Sequence, residues 1–87
     1  MFVILVYDID VKRVVKILKT SRKYLNWIQN SVLEGDISET NFKKLKSELL
    51  RIMNREEDSI IFYTFRTMNY MNREEYGLKK GGDDQFL

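Results

Sequence analysis

The sequence contains no cysteine, no histidine and no proline, and only four glycines. Without cysteine there are no disulfides, no thiolate zinc sites and no cysteine nucleophile. Without histidine, the commonest general base and the commonest metal ligand are missing. Any chemistry therefore falls to carboxylates, Lys, Tyr, Ser or Arg, or to a hard cation held by oxygen. Negative charge is absent from residues 11–33, a span that carries Lys12, Arg13, Lys16, Lys19, Arg22 and Lys23. Long apolar runs are also missing, since no stretch approaches the ~18 residues of a membrane span. The apolar start, Met1–Tyr7, has no basic residue ahead of it and no small-residue cleavage site. It reads as a strand rather than a signal peptide, and the expected location is the cytoplasm.

What is present suits one small folded domain. Eighty-seven residues allow a single core, and 44% hydrophobic with 13% aromatic residues is a globular composition rather than that of a disordered tail. A chain this short buries only ~60% of the surface its unfolded form exposes, so a partner would add stability. The net charge is only +2, yet the charge is segregated, with most carboxylates lying from Glu34 onward. Such segregation suits a surface facing a polyanion such as nucleic acid; a solvated helix face has the same composition.

Residues 2–7 are β-branched and aromatic and too few for a helix, which makes them strand one. Asp10 is a favoured N-cap for a helix over 11–23. Within it Val11, Val14, Val15 and Leu18 recur at i, i+3, i+4, i+7, the spacing of one buried stripe. Residues 25–29 and 31–34 read as two short strands with Asn30 at a tight turn or bulge, closed by Gly35-Asp36. Asp36 or Ser38 can cap a second helix, with Glu39 placed as in a capping box after Asp36. Phe42, Leu45, Leu49, Ile52 and Met53 give that helix its apolar face. Residues 59–66 form another strand, and 67–76 a weaker one suited to an edge. The order βαββαβ with a C-terminal extension predicts an α+β, ferredoxin-like fold, an antiparallel sheet with two helices on one face. Residues 1–76 are the expected domain. Residues 77–87 are the expected tail, packing on a partner's sheet edge or on the chain's own.

Two strands conflict with a monomer. A strand with one solvated face alternates apolar and polar residues. Strand one is apolar on both sides, Phe2, Ile4 and Val6 against Val3, Leu5 and Tyr7, and residues 60–65 are nearly so. A patch of that size is rarely left exposed. A second copy across a twofold axis would cover it, or residues 67–87 would fold back over it.

Asp8 ends strand one, with Asp10 two residues on. The plain reading of Asp10 is an N-cap, and Asp8 can likewise be a cap or a strand-ending residue. A carboxylate near a twofold axis can also meet its symmetry mate, which calls for a proton or a cation between them. Mg²⁺ suits such a pair and supports phosphodiester hydrolysis without histidine. Tyr7, Tyr24 and Trp27 carry rings able to stack on bases; Trp27 reads as a core or interface residue.

The segments Val3-Ile-Leu-Val-Tyr-Asp-Ile9, Lys12-Arg13, Leu25-Asn-Trp-Ile-Gln-Asn-Ser-Val-Leu-Glu-Gly35, Asp58-Ser-Ile-Ile-Phe-Tyr63 and the tail from Gly77 to Leu87 together resemble the CRISPR-associated protein 2 family. The likeness spans essentially the whole chain and departs from the family pattern at Leu33, where phenylalanine is common. It implies a homodimer of ferredoxin-like domains, Mg²⁺ at Asp8, and metal-dependent endoribonuclease chemistry. It also implies bridging of CRISPR integrase dimers as they insert spacer DNA. By the same likeness, Tyr7 and Asp8 carry catalytic roles, and Arg13 and Ser31 are functional positions. With the other cations of 11–33, these two complete the expected nucleic-acid-binding set of Lys12, Arg13, Lys16, Lys19, Arg22, Lys23 and Ser31. The expected partners are double-stranded DNA, single-stranded RNA or both, with no membrane. The alternatives are a non-catalytic DNA-binding scaffold of the integration complex and a ferredoxin-like RNA-binding or regulatory module. The latter lacks the aromatic-glycine signature of a sheet-face RNA binder.

Overall fold

A computed structural model describes residues 1–79. The elements run β1 (Phe2–Asp8), α1 (Val11–Ser21), β2 (Asn26–Gln29), β3 (Val32–Asp36), α2 (Glu39–Ile52), β4 (Ser59–Thr67) and β5 (Tyr70–Gly77). They build one antiparallel sheet in the order β2-β3-β1-β4-β5. This is the expected ferredoxin-like arrangement, with β5 added as an edge strand beside β4. Residues 80–87 of the expected tail lie outside the described residues. The start of that tail is docked on the chain itself, because Gly77 closes β5 and the Leu78 N–H donates to the Asp58 carbonyl at 2.7 Å.

Both helices cover one face of the sheet. Val3 and Leu5 from β1, Leu33 from β3 and Ile60 and Phe62 from β4 are fully buried there with Ile17, Leu45 and Leu49. Phe42 from α2 meets Phe62 edge-on at 5.3 Å, an arrangement favoured by the ring quadrupoles. Leu33 takes its place in this core opposite Leu5 and Trp27.

α1 corrects the expected stripe. Val11 and Val15 are 81% and 61% exposed, whereas Ile17 and Ser21 are fully buried and Val14 and Leu18 partly so. The inward set is Val14, Ile17, Leu18 and Ser21, the same spacing shifted by three residues. Ser21 concealed it from a hydrophobicity pattern; its hydroxyl is buried without penalty because it donates to the Ile17 carbonyl at 2.7 Å. The helix also stops at Ser21 rather than residue 23. Asp10 caps its start, its carboxylate accepting from the Lys12 N–H at 2.9 Å. At α2 the cap is Ser38, which accepts from the Asn41 N–H at 3.0 Å, and not Asp36. Asp36 lies in β3 and binds the N-terminal ammonium at 2.9 Å, so the expected Asp36–Glu39 capping box does not form.

The other sheet face has no covering layer among the described residues. Register places Phe2, Ile4 and Val6 of β1 on it, beside Val32 of β3 and Ile61, Tyr63 and Phe65 of β4. β5 extends the sheet sideways and does not fold over this face.

Candidate nucleic-acid and metal site

Alternation along β1 sends Tyr7 and Asp8 to opposite faces. Tyr7 points to the helix layer and is 5% exposed, and burial pushes its phenol above the ordinary value. Asp8 is exposed, at the end of the open face, paired across the ladder with Ser59. The two residues expected to share catalysis are therefore not brought to one surface.

The loops at this end of the sheet converge. The turn after β2 is made by Asn30 and Ser31, with Asn30 at φ 38°, a left-handed conformation that Asn tolerates better than most residues. The Ser31 carbonyl accepts the Tyr7 N–H at 3.1 Å, which fastens this turn beside the end of β1. The α1 N-terminus and the start of β4 lie at the same end.

A carboxylate to which the sequence reading gave no role organises this end. Asp58, just before β4, is fully buried. It accepts the Arg13 Nε–H at 2.7 Å, an Arg13 NH2 hydrogen at 3.2 Å, the Asp10 N–H at 2.8 Å and the Asn54 N–H at 2.9 Å. Burial pushes its carboxyl up, and these donors more than offset that, leaving it at about 2. Arg13 also donates to Glu57 at 2.7 Å, and its hydrogen bonds to both carboxylates raise its already high pKa. The guanidinium expected to bind nucleic acid is thus held by two carboxylates, tying α1 to the start of β4. In the sequence Asp58 looks like one more acid in the polar run from Glu56, and only burial distinguishes it. Gly77 belongs to the same device. Its φ is +94°, and a Cβ there would sit 2.1 Å from the Asp58 carbonyl oxygen. Only glycine fits.

The remaining cations divide. Lys23 donates to Glu48 at 2.6 Å, and Glu48 also accepts from the Tyr24 hydroxyl, which ties the turn after α1 to α2. Lys12, Lys16, Lys19 and Arg22 are all exposed along the outer side of α1. The Arg22 guanidinium lies 5.6 Å from the centroid of the Trp27 ring. Trp27 is 48% exposed, so it is not a core residue of this chain.

The donor chemistry at Asp8 fits half of a hard-cation site. Its carboxylate is the oxygen ligand that Mg²⁺ takes, but among the described residues no group of three or more His, Cys, Asp or Glu could hold a metal ion. One chain supplies one carboxylate here, and a shared site needs a second.

The profile of the family described as CRISPR associated protein Cas2 matches residues 1–73. The chain belongs to the Cas2 family. A Cas2 relative from Dictyoglomus turgidum, named a CRISPR-associated endoribonuclease, is 53% identical over the full length of both chains. Another of the same name from Thermotoga maritima is 51% identical over 83 residues, 95% of each chain. Among solved structures, one described as a crystal structure of Cas2 superposes with a TM-score of 0.74 at 39% identity, covering 98% of this chain and 90% of its own. The Streptococcus pyogenes Cas2 crystal structure gives 0.69 at 31% identity, over 75% of this chain and 86% of its own. These Cas2 structures share the sheet-and-helix architecture described above. No helix among the described residues is long and apolar enough to cross a membrane.

Proposed function

We propose that this Cas2 chain is a homodimeric, Mg²⁺-dependent endoribonuclease whose catalytic carboxylate is Asp8. The observation that carries the reading is the position of Asp8, exposed at the end of an apolar sheet face that nothing in the described chain covers. Two copies joined through Phe2, Ile4, Val6, Ile61, Tyr63 and Phe65 would remove that face from water and bring the two β1 ends toward one axis. The paired Asp8 carboxylates would repel each other unless they shared a cation, so the same geometry that buries the face creates the metal site. Mg²⁺ bound there would polarise a phosphodiester and supply a water of lowered pKa. The protein's own contribution is to hold Asp8 rigidly. The Ser59 pairing fixes its backbone, and the Arg13–Asp58 tie fixes the turn into α1. The names of the relatives from D. turgidum and T. maritima support the same activity.

A second role rests on a different observation. Lys12, Lys16, Lys19 and Arg22 line the exposed side of α1 in a span without a single carboxylate. Such a row suits the phosphates of duplex DNA, as needed by a scaffold that joins CRISPR integrase dimers during spacer acquisition. Cleavage is not required for that role, and one dimer can serve both.

The test is cleavage of single-stranded RNA by wild type and by Asp8→Asn, each with Mg²⁺ and with chelator. Wild type is expected to cut only with Mg²⁺. Asp8→Asn is expected to lose at least a hundredfold in rate with an unchanged circular dichroism spectrum. Equal rates in the two proteins would refute the assignment of Asp8.

A further inference from the structure

Trp27 is the chain's single tryptophan, and it sits in an unusual place for one. It lies on the edge strand β2, 48% exposed, next to Ile28, which is 51% exposed and forms the bulge in the β2–β3 pairing. Tryptophan is costly to leave in water, yet this one is held rather than loose. Its indole Nε1–H donates to the Asn30 carbonyl at 2.9 Å, which fixes the ring against the turn. Arg22 stands over the ring, with Lys19 one helical turn earlier. The ring therefore combines a fixed aromatic plane with local positive charge, and its pairing with Leu33 places it on the helix side of the edge strand β2, the sheet face opposite Asp8. From strand spacing and residue rise, its backbone lies roughly 14 Å from that of Asp8.

We infer that Trp27 is a stacking platform for an unpaired base of single-stranded RNA, with Arg22 and Lys19 taking the neighbouring phosphates; this rests on the endoribonuclease reading and names how its substrate is held. Unpaired bases expose their π faces, whereas a duplex keeps them stacked inside, so an exposed ring flanked by cations selects the single strand. Charge complementarity favours RNA over a protein partner, because the span 11–33 has no acid and four of its cations, Lys12, Lys16, Lys19 and Arg22, face outward. Stacking is tolerant of base identity, so the platform predicts strand selectivity without strong sequence preference.

Because there is only one tryptophan, its fluorescence reports this site alone. The full-length protein is titrated with a dye-labelled 12-nucleotide oligouridine in low salt and chelator, following tryptophan emission and dye anisotropy together. Saturable quenching in step with the anisotropy is expected, and duplex DNA of equal length, bound through the same cations but with its bases stacked inside, should quench far less at equal occupancy. Trp27→Ala should weaken RNA binding about tenfold, within the range given by loss of one stacked base. Trp27→Phe should recover most of that loss. Arg22→Gln, which keeps the ring and the turn, should weaken binding about threefold and guards against a misfolded Trp27→Ala protein. RNA binding without quenching, or wild-type affinity in Trp27→Ala, overturns the platform and turns the patch toward a protein partner. The Asp8→Asn chain separates the two ideas. Lost cleavage with no quenching refutes the platform alone, and undiminished cleavage with quenching refutes the metal site alone.

Discussion

The two faces of the sheet are built from the same strands and similar apolar residues, yet they are finished differently. On one, Val3, Leu5, Ile60 and Phe62 disappear under α1 and α2. On the other, Ile4, Val6, Ile61 and Tyr63 remain only partly covered, with Asp8 at the rim. β-branched and aromatic residues on both sides of a strand suit two burial events, and the described residues complete only one of them. The covered face is a folding requirement. The open face is available for assembly, and Asp8 stands at its rim, where a second copy would bring a second Asp8.

The sharpest contrast between the faces comes from truncating each. Leu5→Ala on the covered face should cost about 3 kcal/mol, with no solvent-facing relief for the cavity it leaves. The neighbouring Val6→Ala on the open face should leave the unfolding of a diluted, monomeric sample within about 1 kcal/mol of wild type. Chemical denaturation at two protein concentrations checks both, since only the open-face variant should alter the concentration dependence.

The Arg13–Asp58 tie joins α1 to the start of β4, beside the Asp8 rim, and comes next in size. Asp58→Asn leaves a guanidinium facing a neutral partner and should cost about 3 kcal/mol, measured by urea midpoint at pH 7. The same tie makes wild type acid-sensitive. The Asp58 carboxyl moves from an ordinary 3.8 down to about 2 on folding, so its contribution is complete above pH ~5 and is lost as pH falls toward 2. The loss is on the order of 2 kcal/mol, and Asp58→Asn should show a correspondingly flatter profile over that interval.

Much of this architecture was readable from residue order. The strands of β1 and β4, the Asn30 turn, the Asp10 cap and the βαββαβ order all follow local rules of periodicity and turn chemistry. The two-sided apolar strands announced the open face. What could not be read depended on tertiary placement. The α1 stripe was misassigned because two interleaved sets share one spacing, and the buried one ends in Ser21. Asp58 and Gly77 act through contacts that join residues far apart in the chain, and Trp27 is exposed only because β2 lies at the edge. At the candidate site, Asp8 was legible as a strand-ending carboxylate. Its separation from Tyr7 follows from strand alternation, once β1 is known to run through residue 8. The six cations looked equivalent in sequence. Packing divides them into two paired to carboxylates and four that face outward.

That division gives the smallest predicted effect. Reversing Lys16 and Lys19 together should weaken duplex DNA binding severalfold at moderate salt and lower the salt-dependence slope by about 2, without shifting the thermal midpoint. The same reversal at Lys23, already engaged by Glu48, should change the slope by less.

The central claim is that the open face assembles the protein and that assembly makes the site. Ile61→Asp places a charge in the middle of that face while leaving the helix-side core intact. Sedimentation equilibrium at micromolar concentration, paired with the Mg²⁺-dependent RNA cleavage assay on the same samples, tests the claim most directly. A dimeric, active wild type and a folded, monomeric, inactive Ile61→Asp protein are predicted; a monomeric wild type, or a monomeric variant that cleaves at the wild-type rate, would contradict it.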